Sequence, residues 1–285
     1  MEKLTYTNVR GESIVFDGPP FYLVSVNGLG DVAANVQRQK APYQDGSTRI
    51  GSTLEERVIP IEFLIVGDNY HEVSEYRMQM SRILNPKLDE GILRYENGHV
   101  IREINVSAES VPFFPDGAGN RITEMQKGLV TLVASDPYWR STGITEEPAF
   151  EPLFEFPFEG EFEMGMQRDQ RIIFNDGDAP APIQVEFFGP ALNPKIINNT
   201  TGEFIRIKQE LFEGERMMID TSDASVYFID ADGNERNVFP WIDLSGAGTT
   251  FFKLEIGENE IEYTADSDIQ GTVVNILYSK LYTAV

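Results

Sequence analysis

The short segment around His71 begins like the helix of a zinc protease. That motif needs two histidines four residues apart on one helix face, with a glutamate beside the first. Here Glu72 follows His71, but position 75 is Glu75, and the second imidazole is missing. We therefore interpret the segment as the exposed first turn of a helix, where the helix dipole favours acidic side chains.

Two acidic segments have the closely spaced oxygen ligands of a calcium loop, Asp230-Ala231-Asp232-Gly233-Asn234-Glu235 and Asn175-Asp176-Gly177-Asp178. The first lacks the third spaced ligand and the terminal glutamate that such a loop requires. Asp-Gly between β-prone runs is typical of a hairpin turn. We predict that both segments are turns and bind no metal.

Catalytic residues are equally hard to find. Acids are abundant, but a glycosidase needs two carboxylates at a defined separation, and no acid lies in a distinctly apolar setting. There is no cysteine, and His71 and His99 are the only histidines. The two glycines of Asn27–Asp31 precede no helix signal, so they do not predict a phosphate loop. We predict no enzymatic activity and no cofactor.

Trp241 is the one aromatic residue with a binding role to consider. It lies in the run Phe239-Pro240-Trp241-Ile242-Asp243. A tryptophan beside a proline on a β-sandwich can stack on a sugar ring, but more often it packs against a sheet edge. The sequence favours packing and leaves carbohydrate stacking as the alternative.

Composition limits the class of protein. The 285 residues, 41% of them hydrophobic, suffice for one large or two ordinary domains. The net charge of −23 argues against binding nucleic acid, including sequence-specific binding. Residues 1–142 carry 14 Lys and Arg against 19 Asp and Glu, whereas residues 143–285 carry 9 against 27. This shift predicts two domains, 1–142 and 143–285.

The first domain is predicted to be mostly β with one helix. Asn69 can cap that helix, and Asn85-Pro86 ends it. Asn97-Gly98 predicts a hairpin, and Pro60 predicts an edge or a bulge within the most apolar run, Val58–Val66. That run is too short to cross a membrane, so we expect no membrane insertion. Gly128–Ala134 is almost entirely apolar, which favours a strand buried on both faces.

The second domain is predicted to be an antiparallel sandwich, because short β-prone runs alternate with turns from Arg171 onward and helix signals are missing. The acidic, Phe- and Pro-rich passage Glu146–Gly165 precedes it. This passage fits either a linker or strands laid along the sandwich, and its many aromatic residues favour strands.

Four segments occur in a characteristic order: Asp136-Pro137-Tyr138-Trp139, Asn175–Pro180, Asn193–Glu203 and Gly214–Thr221. Together they resemble the distal tail protein of long-tailed, non-contractile bacteriophages and prophages. The resemblance implies a mainly β fold, with an N-terminal domain like a split β-barrel with one helix and a C-terminal galectin-like jelly-roll sandwich. It offers no catalytic residues.

The same resemblance implies a function in the virion. A ring of six copies, made in the host cytoplasm, would lie at the distal end of the tail and let DNA pass. It would join the tail tube and tape-measure proteins to the tip hub and the receptor-binding proteins.

A ring of identical subunits needs two different surfaces on each copy. The polar, turn-rich passage Gln39–Ser52 is longer than most connections. We predict that Lys40, Tyr43 and Arg49 in this loop contact a neighbouring subunit. The main alternative function is a carbohydrate-binding adhesin, in which the C-terminal sandwich recognises cell-wall sugar through Trp241. A glycoside hydrolase is a distant third.

Overall fold

The computed structural model describes residues 2–142, 145–148, 169–245, 248–267 and 273–285. The chain divides into two compact units: unit 1 is Met1–Thr142 with Tyr282–Val285, and unit 2 is Gly143–Leu281. The last four residues therefore belong to unit 1, whereas the sequence assigned only residues 1–142 to the first domain. Residues 149–165 of the Phe-rich passage lie outside the described residues. No helix in the described part is long and apolar enough to cross a membrane.

Unit 1 contains one helix and ten strands in chain order: β1 (Lys3–Thr7), β2 (Ser13–Phe16), β3 (Phe21–Val26), β4 (Ala34–Gln39), β5 (Thr48–Leu54), β6 (Arg57–Val66), α1 (Tyr70–Ile83), β7 (Gly91–Glu96), β8 (Ile101–Ala108), β9 (Met125–Ala134) and β10 (Trp139–Ser141). The main antiparallel path is β2-β1-β7-β8-β9-β6-β3. Its two end strands, β2 and β3, follow each other directly in the chain and contact each other, so the sheet curves back on itself.

Unit 2 begins with β11 (Thr145–Pro148). It continues with β12 (Asp169–Asn175), β13 (Ile183–Phe188), β14 (Ala191–Leu192), β15 (Lys195–Asn198), β16 (Glu203–Arg206), β17 (Glu210–Leu211), β18 (Arg216–Asp220), β19 (Ser225–Ile229), β20 (Glu235–Asn237), the 3₁₀ turn η1 (Phe239–Trp241), β21 (Gly257–Thr264) and β22 (Val274–Tyr278). The last short strand, β23 (Leu281–Tyr282), contains the final residue of unit 2 and the first of the four terminal residues that belong to unit 1.

Two antiparallel sheets form the body of unit 2, in the orders β11-β22-β13-β18-β19-β20 and β12-β21-β15-β16. Their strands alternate buried and less buried residues, and the buried side chains of both sheets share one core. Phe187 on one sheet meets Tyr263 on the other edge to face, at 6.0 Å between ring centroids. The predicted mainly β fold with a C-terminal sandwich is confirmed.

The core of unit 1 follows from the same alternation. Ile59, Ile61, Phe63 and Ile65 of β6 are buried on one face, and each contributes about 1.5–3 kcal/mol by leaving water. Helix α1 closes this core with an apolar stripe that includes Val73 and Met80.

The predicted cap of α1 is present. The Asn69 side chain accepts a hydrogen bond from the Glu72 amide at 3.1 Å. The Glu72 carboxylate reaches back to the Asp68 amide at 2.8 Å, one residue before the cap. The first bond occupies an amide that the first helical turn leaves without a partner, and the second fixes the chain just before the cap.

Two predictions for individual strands were wrong. Pro60 lies in an internal strand, because β6 pairs with β3 on one side and β9 on the other. The Pro60 carbonyl accepts a hydrogen bond from the Asn27 amide, just beyond the end of β3. Proline has no N–H to donate, and because β3 ends here, this lack removes no hydrogen bond between the two strands. In β9, Leu129 is exposed and only alternate residues are buried, so Gly128–Ala134 is not buried on both faces.

Arg57, at the start of β6, is completely buried. Its guanidinium donates to the carbonyls of Gly28 and Pro137 at 2.8 Å and of Thr283 at 2.7 Å, with a further bond to the Asp31 carbonyl at 3.1 Å. Burial lowers the pKa of this guanidinium, and nearby Asp31 opposes the shift. One side chain thus fastens three separate segments of unit 1 to β6.

We expect Arg57→Ala to destabilise unit 1 by about 3 kcal/mol or more, because it leaves several buried carbonyls without donors. Urea unfolding followed by tryptophan fluorescence measures this, since Trp139 is buried in the same unit. Arg10→Ala, at an exposed arginine, is the control and should shift stability by less than about 0.5 kcal/mol. Equal unfolding midpoints for the two variants would contradict the role given to Arg57.

Candidate functional site: an exposed hairpin and an aromatic cluster

The passage predicted to be a loop forms part of a projecting β-hairpin. Strands β4 and β5 form their own two-stranded sheet and join no other strand in the described residues. None of their residues is buried. We call this hairpin, residues 34–54, the arm. The loop prediction for Gln39–Ser52 was therefore partly wrong, because Gln39 and residues 48–52 are paired strand, whereas residues 40–47 form the connecting loop.

The tip of the arm is ordered by its own hydrogen bonds. Gln44 receives the Ala41 amide on its side chain at 3.0 Å and donates to the Thr48 hydroxyl at 3.2 Å. Tyr43 has a left-handed backbone with φ of 62° and a fully exposed side chain. A bulky residue in that conformation is uncommon, and here it presents an aromatic ring at the tip.

The arm is basic on an acidic chain. It carries Arg38, Lys40 and Arg49 against one acid, Asp45, whereas the rest of residues 1–142 carries 11 Lys and Arg against 18 Asp and Glu. Arg38 and Arg49 are direct cross-strand partners. Like charges at such positions destabilise a hairpin. The three residues predicted to contact a neighbour, Lys40, Tyr43 and Arg49, all lie on this exposed arm.

Trp241 lies in a second exposed region, on unit 2. It ends η1 and keeps 41% of its surface exposed. Its carbonyl accepts from the Lys208 amide at 2.8 Å. Phe239 of the same turn stacks almost parallel on Phe251, at 6.1 Å between ring centroids. The tryptophan is thus neither fully packed nor fully free.

An ion cluster lies directly after Trp241. The nearly buried Asp243 carboxylate is 2.8 Å from the Lys208 ammonium and 3.7 Å from the Arg206 guanidinium. The hydrogen bond from Lys208, together with that from Ser245, holds the pKa of Asp243 well below its usual range. Arg206 also binds Asp266 at 2.5 Å. These contacts fix the Trp241 segment beside β16.

The remaining chemical candidates are structural. His71 lies in the exposed first turn of α1, 3.6 Å from Glu75. The Asp230 carboxylate accepts the amides of Asp232 and Asn234, both at 2.9 Å, inside the predicted turn between β19 and β20. The Asn175 side chain is buried and donates to backbone carbonyls. The described residues contain no group of three acidic or imidazole side chains placed to hold a metal.

A shallow cavity of about 400 Å³ lies on unit 1 between α1 and the segment around Phe114. Arg77 stands over the Phe114 ring at 4.9 Å from its centroid. Its lining includes serine hydroxyls and Met78 but no acid–base pair. This cavity offers no reaction chemistry, so the exposed arm and the Trp241 cluster remain the candidate sites.

Sequence comparison assigns both units. Residues 9–134 match the phage tail protein RIFT-related domain, and residues 176–282 match the C-terminal domain of the siphovirus-type tail component. The chain belongs to the siphovirus distal tail proteins. It is accordingly a structural component of a phage tail. No curated protein shows significant sequence similarity to the chain.

Solved structures of distal tail and baseplate proteins share the fold. The Dit protein (gp 19.1) of phage SPP1, described as a paradigm of the hub adsorption apparatus in phages infecting Gram-positive bacteria, superposes with a TM-score of 0.70 at 11% identity, over 99% of each chain. A chain of the phage P2 baseplate, activated with Ca, gives 0.57 at 12% identity, over 100% of this chain and 99% of that one. The Sr-activated form gives 0.59 at 12% identity, over 100% of each chain.

Sequence reasoning overlooked two features of this tail protein. In β6 every second residue is buried, and Arg57 lies on the same side of the strand as Ile59, Ile61 and Phe63. The spacing in the sequence therefore already indicated that this arginine is buried. The Asp243 cluster had no such signal, because Lys208, Arg206 and Asp266 come from distant parts of the chain.

The lowered pKa of Asp243 makes the stability of unit 2 depend on pH. A carboxyl whose folded pKa lies below its unfolded value of 3.8 stabilises the fold above that pH and loses the effect as pH falls through the folded pKa. We expect Asp243→Asn to be less stable than the parent chain at pH 7, with the difference shrinking below pH 3.8. Urea unfolding at a series of pH values measures this.

Asp232→Asn, in an exposed hairpin turn, is the matched control for that series. Its small difference from the parent should not follow the Asp243 curve. A constant gap between parent and Asp243→Asn from pH 7 to pH 2.5 would contradict the electrostatic account.

Proposed function

We propose that this distal tail protein forms a closed ring, of six copies by analogy with its family, at the distal end of the tail. The ring joins the tail tube and tape-measure proteins to the tip hub and the receptor-binding proteins, and it has no enzymatic activity. The arm is the observation that carries this proposal. A two-stranded hairpin that has no buried residue and joins no other described strand is marginally stable in water and gains stability from a partner surface.

The proposed division of labour follows the two domains, 1–142 for the ring and 143–285 for the peripheral sandwich. A closed ring requires contact between two different surfaces of each copy. Lys40, Tyr43 and Arg49 supply one of them, since they lie together on the arm. The copies assemble into the virion after synthesis in the host cytoplasm.

The ring also lets genomic DNA pass. Residues 1–142, assigned to the ring, carry 14 Lys and Arg against 19 Asp and Glu, so the lining repels phosphates mildly, and most of the excess negative charge lies in the peripheral residues 143–285. The protein therefore needs no sequence-specific contact with nucleic acid. Measurable binding of duplex DNA to the assembled ring at physiological salt would argue against this repulsion.

The arm variant Lys40→Glu with Arg49→Glu tests ring formation. We expect light scattering to show a ring mass for the parent chain and a mass at least twofold lower for the variant, because the variant removes the basic charge of the arm. Adding Tyr43→Ala should weaken assembly further. Negative-stain images identify the closed species.

The charge-matched control is Arg10→Glu with Lys87→Glu, at two exposed positions outside the arm. It changes the net charge by the same amount and should keep the parent mass. Equal loss of assembly in both variants would point to overall charge rather than to the arm. An intact ring in the arm variant would remove the arm from the interface.

A carbohydrate-binding adhesin is the second candidate function. The partly exposed Trp241 beside the Phe239–Phe251 stack favours it, since sugars bind on exposed aromatic faces. If it is correct, the full chain binds cell-wall polysaccharide and Trp241→Ala reduces binding about tenfold or more. Phe212→Ala, at another exposed aromatic residue of unit 2, is the control. Retention of binding by Trp241→Ala would end this alternative.

A further inference from the structure

Residues 282–285 are separated from the rest of unit 1 in the chain by the whole of unit 2. Strand β23, which includes Tyr282, pairs with β10, and β10 pairs in turn with β8. The side chains of Tyr282 and Val285 pack against the core of unit 1. That core is therefore complete only when a segment from beyond unit 2 is in place.

Two cations of unit 1 contact this segment. Arg57 donates to the Thr283 carbonyl at 2.7 Å, and the Arg102 guanidinium lies over the Tyr282 ring, 3.6 Å from its centroid. Because Arg57 is completely buried, it loses an acceptor that water cannot readily replace when the segment leaves. A buried donor without a partner is costly. The segment therefore contributes to the stability of unit 1 through a bond that the rest of the unit does not supply.

The residue directly before this segment is held in unit 2. The Leu281 carbonyl accepts a hydrogen bond from the Asp178 amide at 2.7 Å, and Leu281 forms a β-bridge with Ala179. Lys280 pairs with Asp176 at 2.6 Å. The fold of unit 2 thus fixes the point at which residues 282–285 begin.

The folded sandwich also brings its own entry and exit together. Thr145, near the entry, and Tyr278, near the exit, are direct cross-strand partners in β11 and β22. With unit 2 unfolded, docking of residues 282–285 has to close a flexible loop of residues 143–281, and the entropy lost in closing a loop grows with its length. Folding of unit 2 therefore favours docking of the segment in unit 1.

We propose that residues 282–285 act as a strap that completes unit 1 only after unit 2 has folded. A chain still in synthesis, or one whose unit 2 is unfolded, then has a weakened unit 1. The strap also affects the root of the arm, since Arg57 bonds both Thr283 and carbonyls of residues 28–31. Unfinished chains are thereby kept out of the ring, and this last step rests on the ring proposed above.

The two tryptophans allow unit 1 to be followed separately, because Trp139 lies in unit 1 and Trp241 in unit 2. In a Trp241→Phe background, Trp139 emission during urea unfolding reports unit 1 alone. We expect unit 1 of a chain that ends at Leu281 to unfold at a urea concentration lower by about 1 M or more. Ala284→Ser, at an exposed position of the strap, should keep the parent midpoint. An unchanged midpoint in the shortened chain overturns the strap.

A second pair of substitutions tests the coupling to unit 2. Phe187→Asp places a charge in the core of unit 2 and should unfold that unit. We expect it to lower the Trp139 midpoint in the full chain and to cause no further decrease in the chain that ends at Leu281, because the coupling passes through the strap. Phe212→Asp, at an exposed position of unit 2, is the control and should change neither midpoint. Equal decreases for Phe187→Asp in both chains overturn the coupling.

Tyr282→Ala keeps the first measurement possible if the shortened chain does not fold. It removes the ring below Arg102 and keeps the backbone that pairs with β10 and accepts from Arg57. We expect a smaller decrease of the Trp139 midpoint in the same direction. The parent midpoint in this variant overturns the packing assigned to the strap.

Light scattering on chains that keep Trp241 tests the assembly step. We expect the chain that ends at Leu281 to show a mass at least twofold below that of the parent ring, and Ala284→Ser to show the parent mass. A ring formed equally by the shortened chain keeps the proposed ring and overturns the exclusion of unfinished chains. A parent chain that remains monomeric at all concentrations removes the ring, and the urea midpoints then decide the strap by themselves.

Discussion

The buried guanidinium of Arg57 is the interaction on which the rest of unit 1 depends. Its acceptors are backbone carbonyls from residues 28–31, from Pro137 and from Thr283. The cation therefore holds together segments that come from three distant parts of the chain. The close approach leaves no room at Gly28, where an added Cβ would lie 2.1 Å from the Val58 carbonyl oxygen. Trp139 completes the cluster by donating its indole N–H to the Leu29 carbonyl at 3.1 Å.

This arrangement connects stability with assembly. Residues 28–31 lie between β3 and the arm, so the bonds of Arg57 fix the root from which the arm emerges. The arm itself has no core to orient it. A rigid root limits the directions that the tip of the arm can take, and in the proposed ring that restriction lowers the entropy lost when the arm meets another copy. On this proposal, the packing of Arg57 inside unit 1 favours a contact made outside it.

Local chemistry made parts of the fold predictable. The cap at Asn69, the hairpin around Gly98 and the turn at Asp230 follow from a few adjacent residues, and the structure contains each of them. The arm was missed because its strands bury neither face and so lack the apolar alternation that marks other strands. Arg57 was missed because its partners are carbonyl oxygens, which every residue possesses. The Trp241 site stayed ambiguous, since partial exposure fits both packing and binding.

Charge gives the arm its selectivity. Copies of a chain with net charge −23 repel one another, which opposes unspecific association. The short basic arm reverses the sign locally, so in the proposed ring the charge attraction is confined to the place where an arm meets an acidic part of a neighbour. The Debye length near physiological salt is about 8 Å, so both the repulsion and the attraction act only at short range. In the ring that we propose, repulsion over most of the surface and attraction at the arm favour one contact geometry, which lets identical copies close into a ring instead of aggregating.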